Sequence, residues 1–273
     1  MQRLLRNAKA GRLPACSQCP SSPRWFANPA FGESCRCHGL DWSSSASAVS
    51  MMVVRDPAGT TPSTNGRLCF VCNSESPTDR TAKHAFALWR AAVACADERP
   101  ASLHYLDRHY WTNAAMHGSD KSRLERARRC CTAVLRDQVA VLSPTVIVAS
   151  GVEAVTSLQE IGLLKKQWSD LRGHLVAGAY SEAVTLPSGA RGAVFCTYHT
   201  AATAVNCVVS KLYSDSTERL LTQRRDELSE AGAFNSFLDQ YRADSAEGRG
   251  MRVLLLHWFD IGEAIRGANH QAA

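Results

Sequence analysis

The chain has 273 residues, 45% of them hydrophobic, with 31 basic against 25 acidic side chains for a net charge of +6. That is length for one large domain, or one domain with an appendage. No apolar run reaches the roughly 20 residues of a membrane-spanning helix, so a soluble protein without a membrane partner is expected, and the mild basic surplus is compatible with a polyanionic partner without demonstrating one.

The basic opening Met1-Gln2-Arg3-Leu4-Leu5-Arg6 lacks the long apolar core of a secretory signal, so a cytoplasmic location is expected. Residues 1–48 hold Pro14, Pro20, Pro23 and Pro29, then a serine-rich stretch from Ser43 to Ser50, with little periodicity. This segment reads as a cysteine-rich arm ending in a linker. Residues 49–273 read as one α/β domain with a C-terminal helical extension. Within it, Ala48 to Val54 is a strand candidate, and Ala82 to Ala96 a helix with Phe86, Trp89, Val93 and Ala96 on one face. Tyr110 to Met116 is a short strand. Lys121 to Leu142 is an amphipathic helix on which Leu124, Cys131, Leu135, Val139 and Leu142 recur at helical spacing. Pro144 separates it from the strand Thr145 to Ala149, and Ser150-Gly151 opens a helix to about Leu164.

Glu182–Leu186 and Arg191–Thr197 read as strands joined by the turn Pro187-Ser188-Gly189. Helices are expected at about Ala204–Asp215 and Thr217–Tyr241, and Met251–Ile265 fits a helix or a last strand. Strands and helices alternate, which implies a mostly parallel sheet covered on both faces. The expected fold class is therefore α/β, a three-layer α/β/α sandwich around a central, mostly parallel, four-stranded sheet.

Three apolar runs end in polar side chains able to do chemistry. They are Met52-Val53-Val54-Arg55-Asp56, Tyr110-Trp111-Thr112-Asn113 and Val194-Phe195-Cys196-Thr197-Tyr198-His199. In an open α/β sheet such ends converge on one crevice. A carboxylate, a carboxamide and an imidazole gathered there can position a water, read a base edge and stabilise an anion.

Eleven cysteines is a high count for a protein expected in a reducing compartment, and paired spacings there suggest metal binding. Cys16-x2-Cys19 followed by Cys35-x-Cys37 supplies four thiolates within one short arm, a set suited to tetrahedral zinc, with His38 as a substitute ligand. Cys69-x2-Cys72 is a further pair.

The ordered motifs resemble those of the uracil-DNA glycosylase superfamily over roughly Ser50 to Asp215. Arg55-Asp56-Pro57-Ala58 resembles its first motif, and Gly66-Arg67-Leu68-Cys69-Phe70-Val71 the segment carrying its base-stacking aromatic. Thr112-Asn113-Ala114 resembles the strand-end Asn motif, and Cys131 to Gly151 the helix–Pro–strand–Gly stretch of the iron–sulfur branches. Tyr198-His199-Thr200-Ala201 resembles the final His motif, with Thr where Pro is usual.

The resemblance implies a monofunctional DNA glycosylase that hydrolyses the N-glycosidic bond of a flipped-out pyrimidine and leaves an abasic site. Asp56 would orient water and favour the cationic sugar, and His199 would stabilise the departing base. Asn113 would read the pyrimidine edge, and Phe70 would stack on the extruded base. Thr200 and Ala201 would approach DNA behind the flipped nucleotide, and Arg123 and Arg126 would contact phosphates. Where some branches carry a bulky Tyr against the base's C5 edge, this chain has Ala58-Gly59, which leaves room for a C5-modified base such as those of phage DNA.

Plain uracil repair, and a non-catalytic DNA-binding protein of the same fold, are the alternatives. DNA is the expected partner and a monomer the expected state. The resemblance also offers a rival to zinc: a four-iron four-sulfur cluster held by Cys16, Cys19, His117 and Cys131.

Overall fold

The computed structural model describes residues 50–55, 80–92, 109–114, 124–228 and 231–271. These form an α/β protein with a five-stranded sheet in the order β2-β1-β3-β5-β4. The strands are β1 Ser50–Val54, β2 His109–Asn113, β3 Val146–Ser150, β4 Tyr180–Thr185 and β5 Arg191–Thr197. β1 pairs in parallel with β2 and β3, and β3 with β5. β4 joins only at the edge, antiparallel to β5. Four strands are thus parallel, as the alternation of elements requires. The expected count of four falls one short because the Pro187-Ser188-Gly189 turn folds a hairpin onto the edge of the same sheet. Gly189 sits at φ +84° in that turn.

The central strands explain their own composition. Every residue of β1 (Ser-Met-Met-Val-Val) and β3 (Val-Ile-Val-Ala-Ser) is buried. A strand flanked on both sides and covered on both faces has no solvent side, so it reads as a continuous apolar run rather than an alternation. Edge strand β4 alternates half-buried and exposed residues instead.

The helices are α1 Arg80–Ala92, α2 Leu124–Leu142, α3 Val152–Glu160, α4 Trp168–Leu171, α5 Ala202–Cys207, α6 Asp215–Asp226, α7 Gly232–Gln240 and α8 Ala246–Gln271. Short 3-10 turns occupy His174–Val176 and Val209–Leu212. Helix α3 packs on β1 and β3 and against α2, and α8 packs on β3 and β5 with α1 and α5 around it.

Several local signals place the boundaries. Ser143 takes a left-handed φ of 43° after α2, its N–H bonding back to Val139, and Pro144 blocks continuation. The stretch from Met251 is helical: α8 runs 26 residues and buries Met251, Leu254, Leu255, Trp258, Phe259 and Ile261. Gly262 lets α8 meet the end of α1, where a Cβ would come within 2.1 Å of the Ala92 carbonyl. Arg266 donates to that same oxygen at 2.7 Å, satisfying a helix-end acceptor. The expected long helix over Thr217–Tyr241 is broken into α6 and α7. Among the described residues, no helix is long and apolar enough to cross a membrane.

Candidate functional site

Strand register brings the three sequence motifs to one end of the sheet. Asn113 pairs with Val54, Val53 with Ala149, and Ser150 with Thr197. The C-terminal ends of the four parallel strands therefore form one edge, where ligands of open α/β sheets bind. The N–H of Ala114 donates to the Val54 carbonyl at 2.7 Å, extending this edge by one residue. Arg55, which precedes Asp56 in the sequence, lies 3.7 Å from Glu153 in the first turn of α3. That ion pair ties the exit of β1 to the start of α3.

His199 leaves β5 and crosses to the β3–α3 junction. Gly151 there has φ +92° and ψ 175°, a conformation open only to glycine. Its N–H donates to the Thr197 carbonyl at 2.9 Å. A Cβ on Gly151 would lie 3.2 Å from the Cβ of His199, so the missing side chain makes the seat on which His199 rests.

The backbone N–H of Ala201 donates to Nδ1 of His199 at 3.0 Å. A nitrogen that accepts cannot carry a proton, so the neutral ring holds its proton on Nε2 and acts as a donor there. Such a group can stabilise an anion by hydrogen bonding without first being charged.

The residues on either side of His199 are held firmly. The Tyr198 ring is buried, edge-on to Trp168 with centroids 5.3 Å apart, and tilted over His257 at 6.1 Å. Burial pushes its phenol above the ordinary value. Thr197 and His257 share a hydrogen bond of 2.9 Å through Nδ1, and Nε2 of His257 donates to the Leu175 carbonyl at 3.1 Å. Complete burial drives the His257 pKa down to about 4, so this ring is neutral and its two nitrogens divide the roles of donor and acceptor.

Thr200 is fully buried. Its hydroxyl donates to the Thr81 carbonyl at 3.3 Å, and its own carbonyl accepts from His84 at 2.9 Å. Of the two residues expected to approach DNA behind the flipped nucleotide, Thr200 thus turns its side chain into the protein, while Ala201 is half-buried and precedes α5 as its N-cap.

The other expected site residues divide as follows. Asn113 ends β2 at the register position opposite Val54. Asp56, Ala58, Phe70 and Arg123 lie outside the described residues, as do Cys16, Cys19, Cys35, Cys37 and His117. Arg126 is exposed on α2. Arg128, two residues along α2 from Arg126, is buried and pairs with Glu160 at 2.6 Å. Cys131, the one member of the iron–sulfur ligand set within the described residues, is buried on α2. Among the described residues, no group of three or more His, Cys, Asp or Glu side chains is disposed to hold a metal ion.

Gly151, His84, Glu247 and His257 are the residues that sequence reading did not connect to His199. Only Gly151 had a local signal, standing at the junction between an apolar strand and a helix. The fold and this strand-end edge define an α/β protein with a histidine donor set at the C-terminal edge of a parallel sheet. No protein-family model matches the chain, and no curated protein matches its sequence.

Proposed function

We propose that the chain is a monofunctional DNA glycosylase of the uracil-DNA glycosylase type, built on a three-layer α/β/α sandwich. Its substrate is a flipped-out pyrimidine, preferentially one modified at C5. The observation that carries this reading is the His199 ring, whose Nδ1 is occupied by the Ala201 N–H so that Nε2 serves as donor. Register of the Asn113, Val54 and Thr197 strand ends on that same edge adds support.

In the proposed reaction the bond between C1′ and the base nitrogen breaks, and its electron pair leaves with the base. His199 donates a hydrogen bond from Nε2 to the base oxygen that gains charge. Asp56 stabilises the cationic sugar and orients a water, whose oxygen adds to C1′ while its proton passes to the carboxylate. Asn113 reads the pyrimidine edge, Phe70 stacks on the ring, and the small Ala58 leaves space at C5. Arg123 and Arg126 contact phosphates, and zinc on Cys16, Cys19, Cys35 and Cys37 organises the N-terminal arm. No motif lysine serves as an amine nucleophile, so the strand is left uncut.

The test is mass spectrometry of free bases released from DNAs containing uracil, thymine, hydroxymethyluracil or glucosylated hydroxymethylcytosine. Release of a C5-substituted base by the wild type, lost in His199→Ala with DNA affinity retained, is the expected result. Release of uracil alone removes the C5 preference. DNA binding with no base released from any substrate reduces the protein to a binding module.

A further inference from the structure

His84 is buried on α1, a long way in sequence from the residues it touches. Its Nδ1 lies 2.9 Å from the Thr200 carbonyl, 116 positions away. Its Nε2 lies 2.7 Å from Oε1 of Glu247, 163 positions away in the first turn of α8. A carbonyl and a carboxylate only accept, so each ring nitrogen donates. The ring of Tyr241 closes one side, edge-on with centroids 6.0 Å apart.

The Thr200 carbonyl and the Ala201 N–H are two ends of the same planar peptide group. One end accepts from His84, and the other donates to Nδ1 of His199. The chain of hydrogen bonds therefore runs from Glu247 through His84 and one peptide group to His199. Fixing the carbonyl fixes the plane, and the plane aims the N–H. Hydrogen bonding at the carbonyl also polarises the amide and strengthens its N–H as a donor.

We infer that His84 and Glu247 are positioning residues that hold His199 in the tautomer with its proton on Nε2, acting through the Thr200–Ala201 peptide. The inference rests on the glycosylase reading for its use, since that tautomer is the one able to donate to a departing base. The charge balance around the pair fits this task. The hydrogen bond from His84 holds the Glu247 carboxyl below its ordinary value, helped by Arg80 and Lys83 on α1, while burial opposes it. Tyr241 stays neutral, its phenol pushed up to about 12 by burial and by the Glu247 charge. Glu247 thus stays ionised, with no competing donor at the Thr200 carbonyl among these neighbours.

The test uses imidazole nitrogen NMR on the full chain, with single-turnover base release alongside. In the wild type, His199 shows the Nε2-protonated tautomer and His84 carries protons on both nitrogens. His84→Leu lowers the ratio of the Nε2-H to the Nδ1-H form of His199 by about tenfold, the loss of roughly one hydrogen bond. His84→Asn, which keeps a donor near the Nδ1 position, restores most of that ratio. A purely structural role would make no such distinction between Leu and Asn.

Should His84→Leu fail to fold, Glu247→Ala decides, because the Glu247 side chain is 34% exposed and tolerates truncation. The expected result is a smaller drop in the same ratio, and a base-release rate that falls with DNA affinity unchanged. A His199 tautomer unmoved in both His84→Leu and Glu247→Ala, or in Glu247→Ala alone if the first does not fold, overturns the inference. A wild type that releases no base from any DNA removes the glycosylase reading but leaves the tautomer result to stand or fall by itself.

Discussion

Gly151→Ala tests the seat of His199. The substitution has two costs that can be separated. At φ +92° and ψ 175° any side chain is strained, at about 1–3 kcal/mol. The new Cβ would also lie 3.2 Å from the Cβ of His199, so the histidine must retreat by a few tenths of an ångström.

For a domain of this size the strain lowers Tm by roughly 3–9 °C. The retreat of His199 lowers single-turnover base release by about tenfold, given that a 1 Å misplacement can cost about a hundredfold. Gly189→Ala is the control: its φ of +84° also lies in the region that strains a side chain, but no atom lies within 4 Å of the added Cβ. Thermal melts and single-turnover assays of both variants should show comparable loss of stability and a rate defect in Gly151→Ala alone. Equal rates in the two variants would refute the claim that Gly151 seats a reacting histidine.

Three other outcomes are expected. His257 is neutral in the folded state and protonates only near pH 4, whereas in the unfolded chain it does so near 6.5. The unfolded state therefore takes up a proton first as pH falls, and stability should drop by about 1.4 kcal/mol per pH unit across that window. His257→Gln should flatten the slope in urea titrations at successive pH values, and an unchanged slope would rule out His257 as its source. Asp56→Asn should lower turnover by about a hundredfold or more while leaving the DNA dissociation constant nearly unchanged; equal loss of both would mark Asp56 as a binding group. Elemental analysis should find zinc, removed when Cys16 and Cys19 are replaced by serine, whereas iron with a band at about 400 nm would shift the ligand set toward Cys131.

Much of the architecture was legible because it is written in local pattern. The continuous apolar runs Met51–Val54 and Val146–Ala149 mark strands with no solvent face, and both are wholly buried. The spacing of Leu135, Val139 and Leu142 marks the inward face of α2, and all three side chains are buried. The helical or strand reading of Met251–Ile265 stayed open because an apolar stretch covered on all sides has lost its periodicity. β4 was readable as a strand joined to β5 by a turn, but not as a fifth member at the sheet's edge, since pairing partners are set by the sheet rather than by the turn.

The sequence by itself indicated the strands and most of the helices, and that Asn113 and His199 each stand at the end of a strand of one sheet. Only the tertiary structure decided what surrounds that histidine: the empty space at Gly151, the peptide group that occupies Nδ1, and the buried His84 and Glu247 behind it. The physical reason is range. Periodicity and turn chemistry act over a few residues, whereas the proton on His199 is governed by hydrogen bonds between groups that meet only once helices α1 and α8 have packed against the loop after β5.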